Sequence, residues 1–302
     1  MARDPFDLRR HPWLDSAYVG REIRRFLAED VGRGDVTSER VVPKVARASA
    51  EMVARQACVV AGLPLAREVF LAIDPEIAVS DRASDGDRVT AGTVLAHVEG
   101  PAGPILTGER VALNLVQRLS GIATLTRAYA DAIEGTGACV SDTRKTTPGL
   151  RAFEKYAVHV GGGRNHRCGL YDAILIKDNH RAIAGGAAAA VAAARQANGD
   201  AMPIQIEVDA LADLPRVLDL GVEAVLLDNM TPLQVAEAVK LARAHPRGHD
   251  CWIEASGGIT LETIRAYADA GVDTISVGAL THSAPAVDIA LDIAAPGAAS
   301  QP

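Results

Sequence analysis

Apolar residues follow two different patterns along the chain, and the change falls near residue 115. Upstream of it, short β-forming runs separated by Gly, Asp and Pro predict strands at 48–55, 58–61, 77–80 and 93–98. Helical spacing of apolar residues predicts an amphipathic helix over 15–30 and a second helix over 64–73. This mixture indicates an α+β domain in which helices cover one side of an antiparallel sheet.

Downstream, helices alternate with short β-branched runs. A helical period spans 109–133, and Ser120-Gly121 is expected to divide it. Strands are then predicted at 138–141, 173–176, 204–208, 224–227, 252–255 and 274–277, with a further candidate at 157–160. The helices predicted between them span 183–197, 211–220, 232–244 and 261–270. Such alternation predicts a parallel sheet, and the repeat length without a nucleotide-binding glycine fingerprint favours an incomplete α/β barrel of six or seven strands.

One segment of the first region resembles the hairpins of biotinyl and lipoyl carrier domains. The segment comprises residues 85–89 and 92–95, where Gly and Asp punctuate two short strands. Those carriers present a modifiable lysine at the hairpin tip. The chain has no lysine between Lys44 and Lys145, so a carrier function is excluded.

Composition limits the classes of function. The 302 residues are 48 % hydrophobic but only 4 % aromatic, so aliphatic side chains must fill a large core. The net charge of −7 argues against nucleic acid or an anionic membrane as partner. No apolar run approaches the roughly 20 residues of a membrane span, and 1–12 lacks a signal-peptide pattern. The four cysteines lack the paired spacing of a metal or redox site, so we expect a cytoplasmic protein with reduced thiols. The low-complexity segment 294–302 is expected to be a disordered tail.

Polar residues or glycines accompany every main predicted strand of the second region. They are Asp142 to Lys145 after the first strand, Lys177 to His180 after the second, Glu207 within the third, Asp228-Asn229 after the fourth, Ser256-Gly257-Gly258 after the fifth and Gly278 after the sixth. The carboxyl ends of barrel strands converge on one mouth, where active sites are built. We therefore expect these residues to share one site.

Two of these strand ends suit a phosphate group. Ser256-Gly257-Gly258 precede a helix predicted to begin near Thr260, so bare amides and the positive end of a helix dipole would face an anion. Gly278 allows close backbone approach on the adjoining side. Barrels often hold phosphate with the loops after their last strands, so a phosphate site is predicted here.

Basic residues cluster after the earlier strands. They are Arg144, Lys145, Arg164, His166, Arg167 and Lys177. Burying so many cations without counter-charges would be prohibitive, so a polyanionic ligand is predicted. Glu207 and Asp228 offer oxygen ligands for sugar hydroxyls or magnesium.

Long motifs of the chain resemble those of quinolinate phosphoribosyltransferases. The matching segments are 142–151 (DTRKTTPGLR), 155–158, 161–167 (GGGRNHR), 175–180 (LIKDNH), 254–259 (EASGGI) and 276–283 (SVGALTHS), with 34–38 and 109–114 nearer the N-terminus. The resemblance covers residues from about 15 to 292. It implies transfer of phosphoribosyl from phosphoribosyl pyrophosphate to quinolinate with decarboxylation, which yields nicotinate mononucleotide for NAD synthesis.

The resemblance also implies an architecture. An α/β sandwich domain would span 1–115, and an α/β barrel domain would span 116–283. The C-terminal segment, 284–302, would carry a helix over about 284–293 that returns to the first domain, followed by the tail. A homodimer is implied in which each active site receives Arg110 from the other subunit.

The site residues follow from the same resemblance. Quinolinate would be bound by Arg110, Thr143, Arg144, His166, Arg167 and Lys177. The catalytic residues would be Lys145, Lys177, Glu207 and Asp228. Lys145 and Lys177 would approach the pyrophosphate. Glu207 and Asp228 would contact the ribose and magnesium, and the contact to magnesium could be direct or made through a bound ligand. The 5-phosphate would be held by Ser256, Gly257, Gly258, Val277, Gly278 and Ala279.

Rival interpretations stay open at this point. A related barrel phosphoribosyltransferase could act on nicotinate or another aromatic acid, although one carboxylate would not need so many cations. A non-catalytic phosphate-binding regulator would have no use for Lys145, Glu207 and Asp228. A sugar-phosphate isomerase or synthase barrel is a further alternative. The doubly wound phosphoribosyltransferases are excluded, since their acidic-pair phosphate loop is absent.

Overall fold

The computed structural model describes residues 14–199 and 201–294, which form two compact units. The N-terminal unit comprises residues 14–125, Ala152–Gly161 and residues 284–294. The barrel unit comprises Thr126–Arg151, residues 162–199 and residues 201–283. The expectations for 1–12 and for 295–302 fall outside the described residues. Within the described residues, no helix is both long enough and apolar enough to cross a membrane.

The N-terminal unit is the predicted mixture of sheet and helices. Its strands are β1 (Arg47–Ala54), β2 (Cys58–Val59), β3 (Ala78–Asp81), β4 (Arg88–Val89), β5 (Val94–Pro101) and β12 (Ile289–Ile293). Its helices are α1 (Ser16–Val31), α2 (Ser38–Val41), α3 (Leu63–Ile73), most of α4 (Ala102–Ala132) and nearly all of α5 (Arg151–Val160). A four-stranded antiparallel sheet has the order β12-β1-β5-β3, and β2 pairs with β4.

Helix α1 shows how local chemistry and packing agree in this unit. Asp15 precedes the helix and its carboxylate accepts a hydrogen bond from the Tyr18 amide at 2.7 Å, which satisfies one of the free amides of the first turn. The apolar face then buries Ile23 and Leu27. The rings of Tyr18 and Phe26 lie 5.8 and 5.9 Å from the ring of Phe153 on α5.

The segment predicted as a C-terminal helix is partly a strand. Ile289–Ile293 forms β12, which pairs antiparallel with β1 in a register that places Ala54 opposite Ile289. Apolar residues alternate at 289, 291 and 293, a period of two that fits a sheet face, and β1 offers an unpaired edge for it. The helix prediction for 284–293 is therefore wrong, although the segment does pair with the first sheet.

Ser120-Gly121 does not divide α4, contrary to expectation. The Ser120 hydroxyl accepts from the Ala61 amide at 2.9 Å and donates to the Ala61 carbonyl at 3.2 Å. A Cβ at Gly121 would lie 2.0 Å from the carbonyl oxygen of Pro285. The two small residues therefore permit close packing of a continuous helix.

The barrel unit is an open parallel sheet flanked by helices. Its strands are β6 (Cys139–Ser141), β7 (Ile174–Ile176), β8 (Ile204–Val208), β9 (Ala224–Asp228), β10 (Trp252–Ser256) and β11 (Thr274–Ser276). The sheet order is β6-β11-β10-β9-β8-β7, so β6 and β7 are the two edges and the barrel is incomplete. Arg164 adds a single parallel bridge to Ser141 at the β6 edge. The prediction of an incomplete six- or seven-stranded barrel is confirmed, with six strands.

The helices of this unit depart from the predicted bounds at 183–197, 211–220 and 261–270. They are α6 (Asp178–Ala184), α7 (Ala187–Asn198), α8 (Leu214–Asp219), α9 (Pro232–Ala244), α10 (Ile264–Asp269) and α11 (Ala279–His282). The single helix expected over 183–197 is interrupted at Gly185 and Gly186, whose φ angles are 86° and 121°. Residues 157–160, expected as a further strand of the barrel, belong instead to α5 of the N-terminal unit. The helix after Gly258 begins at Ile264 instead of near Thr260.

Candidate active site

A cavity of about 380 Å³ opens at the carboxyl ends of the barrel strands. Eight predicted site residues line it: Thr143, Arg144, Lys145, His166, Arg167, Lys177, Asp228 and Ser256. The remaining lining residues are Leu175, Leu226, Glu254 and Ser276, of which none was predicted. The structure thus gathers side chains from β6, β7, β9, β10 and β11 and their following loops into one polar concavity.

Two arginines give the cavity a strongly cationic wall. Arg167 is 5 % exposed, and its pKa is lowered first by burial and then by the neighbouring charge of Arg144. Nη1 of Arg167 donates to the Ala173 carbonyl at 3.1 Å. Nε of Arg144 is buried without a hydrogen-bond partner among the described residues. An anionic ligand would relieve the repulsion between the two guanidinium groups and supply the missing acceptor.

His166 has protein partners at both ring nitrogens. Its Nδ1 accepts a hydrogen bond from the Arg167 amide at 2.8 Å. Its Nε2 lies 3.2 Å from Oε1 of Gln205 and 3.3 Å from Oε2 of Glu254. In this arrangement the ring joins the floor of the cavity to the backbone that carries Arg167.

The floor of the cavity contains a buried carboxylate that the sequence analysis did not find. Glu254 is 2 % exposed and accepts hydrogen bonds from Gln205 at 2.7 Å and from the Ser276 hydroxyl. Burial acts to raise the pKa of Glu254, but the adjacent His166 ring and the hydrogen bonds together hold it below its ordinary value. Glu254 is therefore a carboxylate at neutral pH.

A signal for these buried residues exists in the sequence. Polar residues alternate with apolar ones inside three strands: Gln205 and Glu207 in β8, Glu254 and Ser256 in β10, and Thr274 and Ser276 in β11. Alternate residues of a strand share one face, so this period of two marks a polar interior layer of the barrel. The prediction considered mainly the residues at strand ends and missed the layer below them.

Three carboxylates meet beside the cavity. Oxygen atoms of Glu207, Asp209 and Asp228 lie within 4.8 Å of one another. Glu207 accepts from Nζ of Lys177 at 2.7 Å, and Asp209 pairs with Arg181. Burial, followed by the charge of Glu207, raises the pKa of Asp228. The oxygen donors and their mutual repulsion fit a divalent cation, and Asp209 is a member of the group that was not predicted.

The glycines predicted to hold phosphate follow Ser256 and Ser276, which line the cavity. Gly257 and Gly258 have φ angles of 101° and 63°, a region that favours glycine. Within the part of the chain that the structure describes, the amides of Gly257, Gly258, Gly278 and Ala279 have no hydrogen-bond partner. Because α10 begins at Ile264, the free amides, and not a helix dipole at Thr260, are what this loop offers to an anion.

Lys145 is brought to the last of these glycines by the tertiary fold. A Cβ at Gly278 would lie 3.0 Å from Cδ of Lys145 and 3.1 Å from Nε2 of His282. The Thr281 hydroxyl donates to the Lys145 carbonyl at 2.8 Å, and the Lys145 amide donates to the Thr143 hydroxyl at 3.0 Å. The backbone of Lys145 is thus held at the end of β11, and its exposed side chain passes beside Gly278.

Asp142 is a second buried carboxylate, predicted among the strand-end residues but given no role of its own. It is fully buried and accepts from Nδ2 of Asn165 at 2.5 Å and from the His166 amide at 2.9 Å. These bonds tie the end of β6 to the loop that carries His166 and Arg167. Arg110 lies on α4 in the N-terminal unit, where it is exposed, and is not among the residues lining the cavity.

Comparison with known proteins gives one consistent result. Residues 35–120 match the N-terminal domain of the family described as "Quinolinate phosphoribosyl transferase", and residues 122–292 match its C-terminal domain. The chain is 45 % identical over 277 residues to a nicotinate-nucleotide pyrophosphorylase [carboxylating] of Mycobacterium leprae, covering 90 % of this chain and 95 % of that protein. It is 43 % identical over 271 residues to the probable enzyme of that name in Bacillus subtilis, covering 90 % and 92 %. The solved nicotinate-nucleotide pyrophosphorylase of Francisella tularensis superposes with a TM-score of 0.87 at 37 % identity, covering 93 % of this chain and 98 % of that one.

Proposed function

Since this chain belongs to the quinolinate phosphoribosyltransferase family, we propose how the residues around its cavity carry out the family's reaction. The chain is an enzyme that transfers phosphoribosyl from phosphoribosyl pyrophosphate to quinolinate with decarboxylation, in NAD biosynthesis. The products are nicotinate mononucleotide, pyrophosphate and carbon dioxide. The pair of arginines facing the cavity, Arg144 and Arg167, is the observation that best supports a dianionic aromatic substrate.

Quinolinate binds to the cationic wall. Arg144 and Arg167 hold its two carboxylates, because bidentate hydrogen bonds from guanidinium groups fix both the position and the plane of a carboxylate. Thr143 and Lys177 contribute further donors from the lining of the cavity. His166 supports the clamp through the Arg167 backbone.

Phosphoribosyl pyrophosphate binds across the later strands. The free amides at Gly257, Gly258, Gly278 and Ala279 receive the 5-phosphate, together with Ser256 and Val277. Lys145 and Lys177 approach the pyrophosphate, and the carboxylates of Glu207 and Asp228 contact the ribose. Glu207 and Asp228, with Asp209 beside them, would hold a magnesium ion, which would neutralise charge on the pyrophosphate.

The chemistry needs positioned charges more than a strong acid or base. The pyridine nitrogen forms a bond to the anomeric carbon while the bond to pyrophosphate breaks, and the electron pair leaves on oxygen. The carboxylates of Glu207 and Asp228 stabilise the positive charge that develops on the ribose ring, and Lys145 and Lys177 stabilise the leaving group. The adjacent carboxylate then leaves as carbon dioxide, its electron pair stays on the ring carbon next to the cationic nitrogen, and a proton takes its place. The arginine clamp contributes by orientation.

The active enzyme is a cytoplasmic homodimer in which Arg110 completes the partner's quinolinate site. An exposed cation on α4, well before the first barrel strand in the chain, suits delivery to a two-fold related subunit. The proposed function is tested by incubating the purified chain with quinolinate, phosphoribosyl pyrophosphate and magnesium. Release of carbon dioxide and pyrophosphate in equal amounts is expected. Pyrophosphate release without carbon dioxide, or no turnover, would contradict it.

A further inference from the structure

Asn229 has an unusual backbone conformation at the edge of the cavity. Its φ angle is 55°, and it is the one non-glycine residue with positive φ among residues 14–199 and 201–294. It directly follows Asp228, the last residue of β9. Asn tolerates the left-handed region better than most residues, and such conformations persist only where the surroundings hold them.

The contacts of Asn229 hold it between two functional strand ends. Its Nδ2 donates to Oδ2 of Asp228 at 2.7 Å. Its amide donates to the Ser256 carbonyl at 2.9 Å, which extends the pairing of β9 with β10 one residue beyond the register pair of Ser256 and Asp228. The left-handed turn thus directs the side-chain amide back onto the preceding carboxylate.

Asn229 also lies directly against the first glycine of the phosphate loop. A Cβ at Gly257 would lie 2.2 Å from Oδ1 and 2.8 Å from Cγ of Asn229. A side chain at position 257 would collide with Asn229, so the close packing of Asn229 requires glycine at this position. One residue therefore contacts both the carboxylate of Asp228 and the backbone that precedes the free amides.

Asp228 needs a neutral support of this kind. It faces Glu207 and Asp209, whose charges repel it, and Lys177, whose charge attracts it. A hydrogen bond from an uncharged amide fixes the rotation of the carboxylate without adding a further charge to the group.

We propose that Asn229 is a positioning residue that holds the Asp228 carboxylate at a set distance from the Gly257 loop, so that the ribose and the 5-phosphate of one phosphoribosyl pyrophosphate molecule are bound together. This inference rests on the proposed function, which assigns Asp228 to the ribose and the loop to the phosphate. The inference predicts a loss specific to one substrate. Changing Asn229 should weaken the binding of phosphoribosyl pyrophosphate and leave the binding of quinolinate unchanged.

Two substitutions in the full chain test the proposal. Asn229→Gly keeps a residue that adopts the left-handed conformation and removes the side-chain amide, so folding is preserved. Asn229→Asp keeps the side-chain shape, replaces the donor by a charged acceptor and should be the more harmful change. Asn198→Asp is the control for the effect of added charge on binding, since Asn198 ends α7 and is not among the residues that line the cavity.

The readouts are the affinity for phosphoribosyl pyrophosphate by calorimetry, the KM of each substrate, kcat and the melting temperature. Asn229→Gly should weaken phosphoribosyl pyrophosphate binding about tenfold, the effect of losing one hydrogen bond to a charged group. The quinolinate KM and the melting temperature should stay close to wild type, and Asn198→Asp should match wild type in binding. Wild-type affinity in Asn229→Gly would overturn the inference, as would an equal loss for both substrates.

A double-mutant cycle separates this inference from the function on which it rests. Asp228→Asn alone should weaken phosphoribosyl pyrophosphate binding, and Asp228→Asn with Asn229→Gly should be no weaker, because Asn229 acts through the carboxylate. If Asp228→Asn binds normally, the assignment of Asp228 to the ribose is wrong. If Asp228→Asn is weakened but the two effects multiply, the assignment stands and the positioning role of Asn229 is wrong.

Discussion

Nε2 of Gln205 donates a hydrogen bond of 2.7 Å to Oε2 of Glu254, joining β8 to β10 across β9, which lies between them in the sheet. Both side chains are buried. Ser276 from β11 and His166 from the loop after α5 reach the same carboxylate. One buried charge therefore ties together four segments of the barrel unit and supports the cavity from below.

The first prediction concerns stability in acid. Because the pKa of Glu254 in the folded chain lies below its ordinary value of 4.5, its contribution to stability is present above that value and is lost as the pH falls through the lowered pKa. Glu254→Gln should destabilise the protein at neutral pH by about 2–3 kcal/mol, since it removes a buried charged acceptor. Its unfolding free energy should also depend less on pH below about 4.5 than that of wild type. Urea unfolding at several pH values measures both effects, and superimposable pH profiles would count against a charged Glu254.

The second prediction concerns substrate choice. Quinolinate should be used at least about a hundredfold more efficiently than nicotinate, because nicotinate leaves part of the cationic wall around Arg144 and Arg167 unpaired. The comparison is kcat/KM for each acid at saturating phosphoribosyl pyrophosphate. Comparable values would show that the cavity does not require two carboxylates.

The third prediction tests the phosphate loop with a matched pair of glycines. Gly257 and Gly86 have φ angles of 101° and 99°, so alanine should strain either position by about 1–2 kcal/mol. A Cβ at Gly86 meets nothing within 4 Å, whereas at Gly257 it would lie 2.2 Å from Oδ1 of Asn229. Gly257→Ala should therefore lose affinity for phosphoribosyl pyrophosphate, while Gly86→Ala should lose stability alone. Equal affinities in the two variants would place the 5-phosphate elsewhere.

The fourth prediction concerns Asp209, which lies in the carboxylate group with Glu207 and Asp228. Asp209→Asn removes one negative charge and one strong oxygen ligand, so the magnesium concentration needed for half-maximal phosphoribosyl pyrophosphate binding should rise several-fold. Asp213→Asn, an exposed change on the 3-10 helix Leu211–Asp213, serves as the control. An unchanged magnesium requirement in Asp209→Asn would limit the site to the other two carboxylates.

The fifth prediction tests the shared site. Arg110→Ala should lose quinolinate binding and Lys145→Ala should be inactive, with both folds intact. In a mixed dimer, one site receives the partner subunit's Arg110 from the Lys145→Ala chain and keeps its own Lys145. Random assortment makes about half the dimers mixed, each with one complete site, so activity near a quarter of wild type is expected.

Co-expression of differently tagged chains provides the control for that experiment, because it proves that mixed dimers form. Verified mixed dimers that stay as inactive as either parent would show that Arg110 acts within its own subunit.

Local sequence was sufficient wherever one segment specifies its own conformation. The short run at 204–208, with apolar residues at every other position, forms β8 with the predicted bounds. The helix over 232–244 is α9, and Thr231 and Gln234 form a capping box at its N-terminus. The helix over 284–293 was expected from the family resemblance and not from a local pattern. Residues 289–293 form a strand because they pair with an edge of β1, which lies far away in the chain.

The sequence by itself determined which residues lie at the carboxyl ends of the strands, since a strand and the residue that follows it are covalently linked. Only the tertiary structure decided which of those ends are neighbours. The order β6-β11-β10-β9-β8-β7 places the first barrel strand beside the last, which brings Lys145 to Gly278, 133 positions later in the chain. It likewise brings Glu254 to His166 and Gln205. Such pairs meet because strand pairing and burial are satisfied by the whole sheet at once, and no local pattern records the order in which the strands assemble.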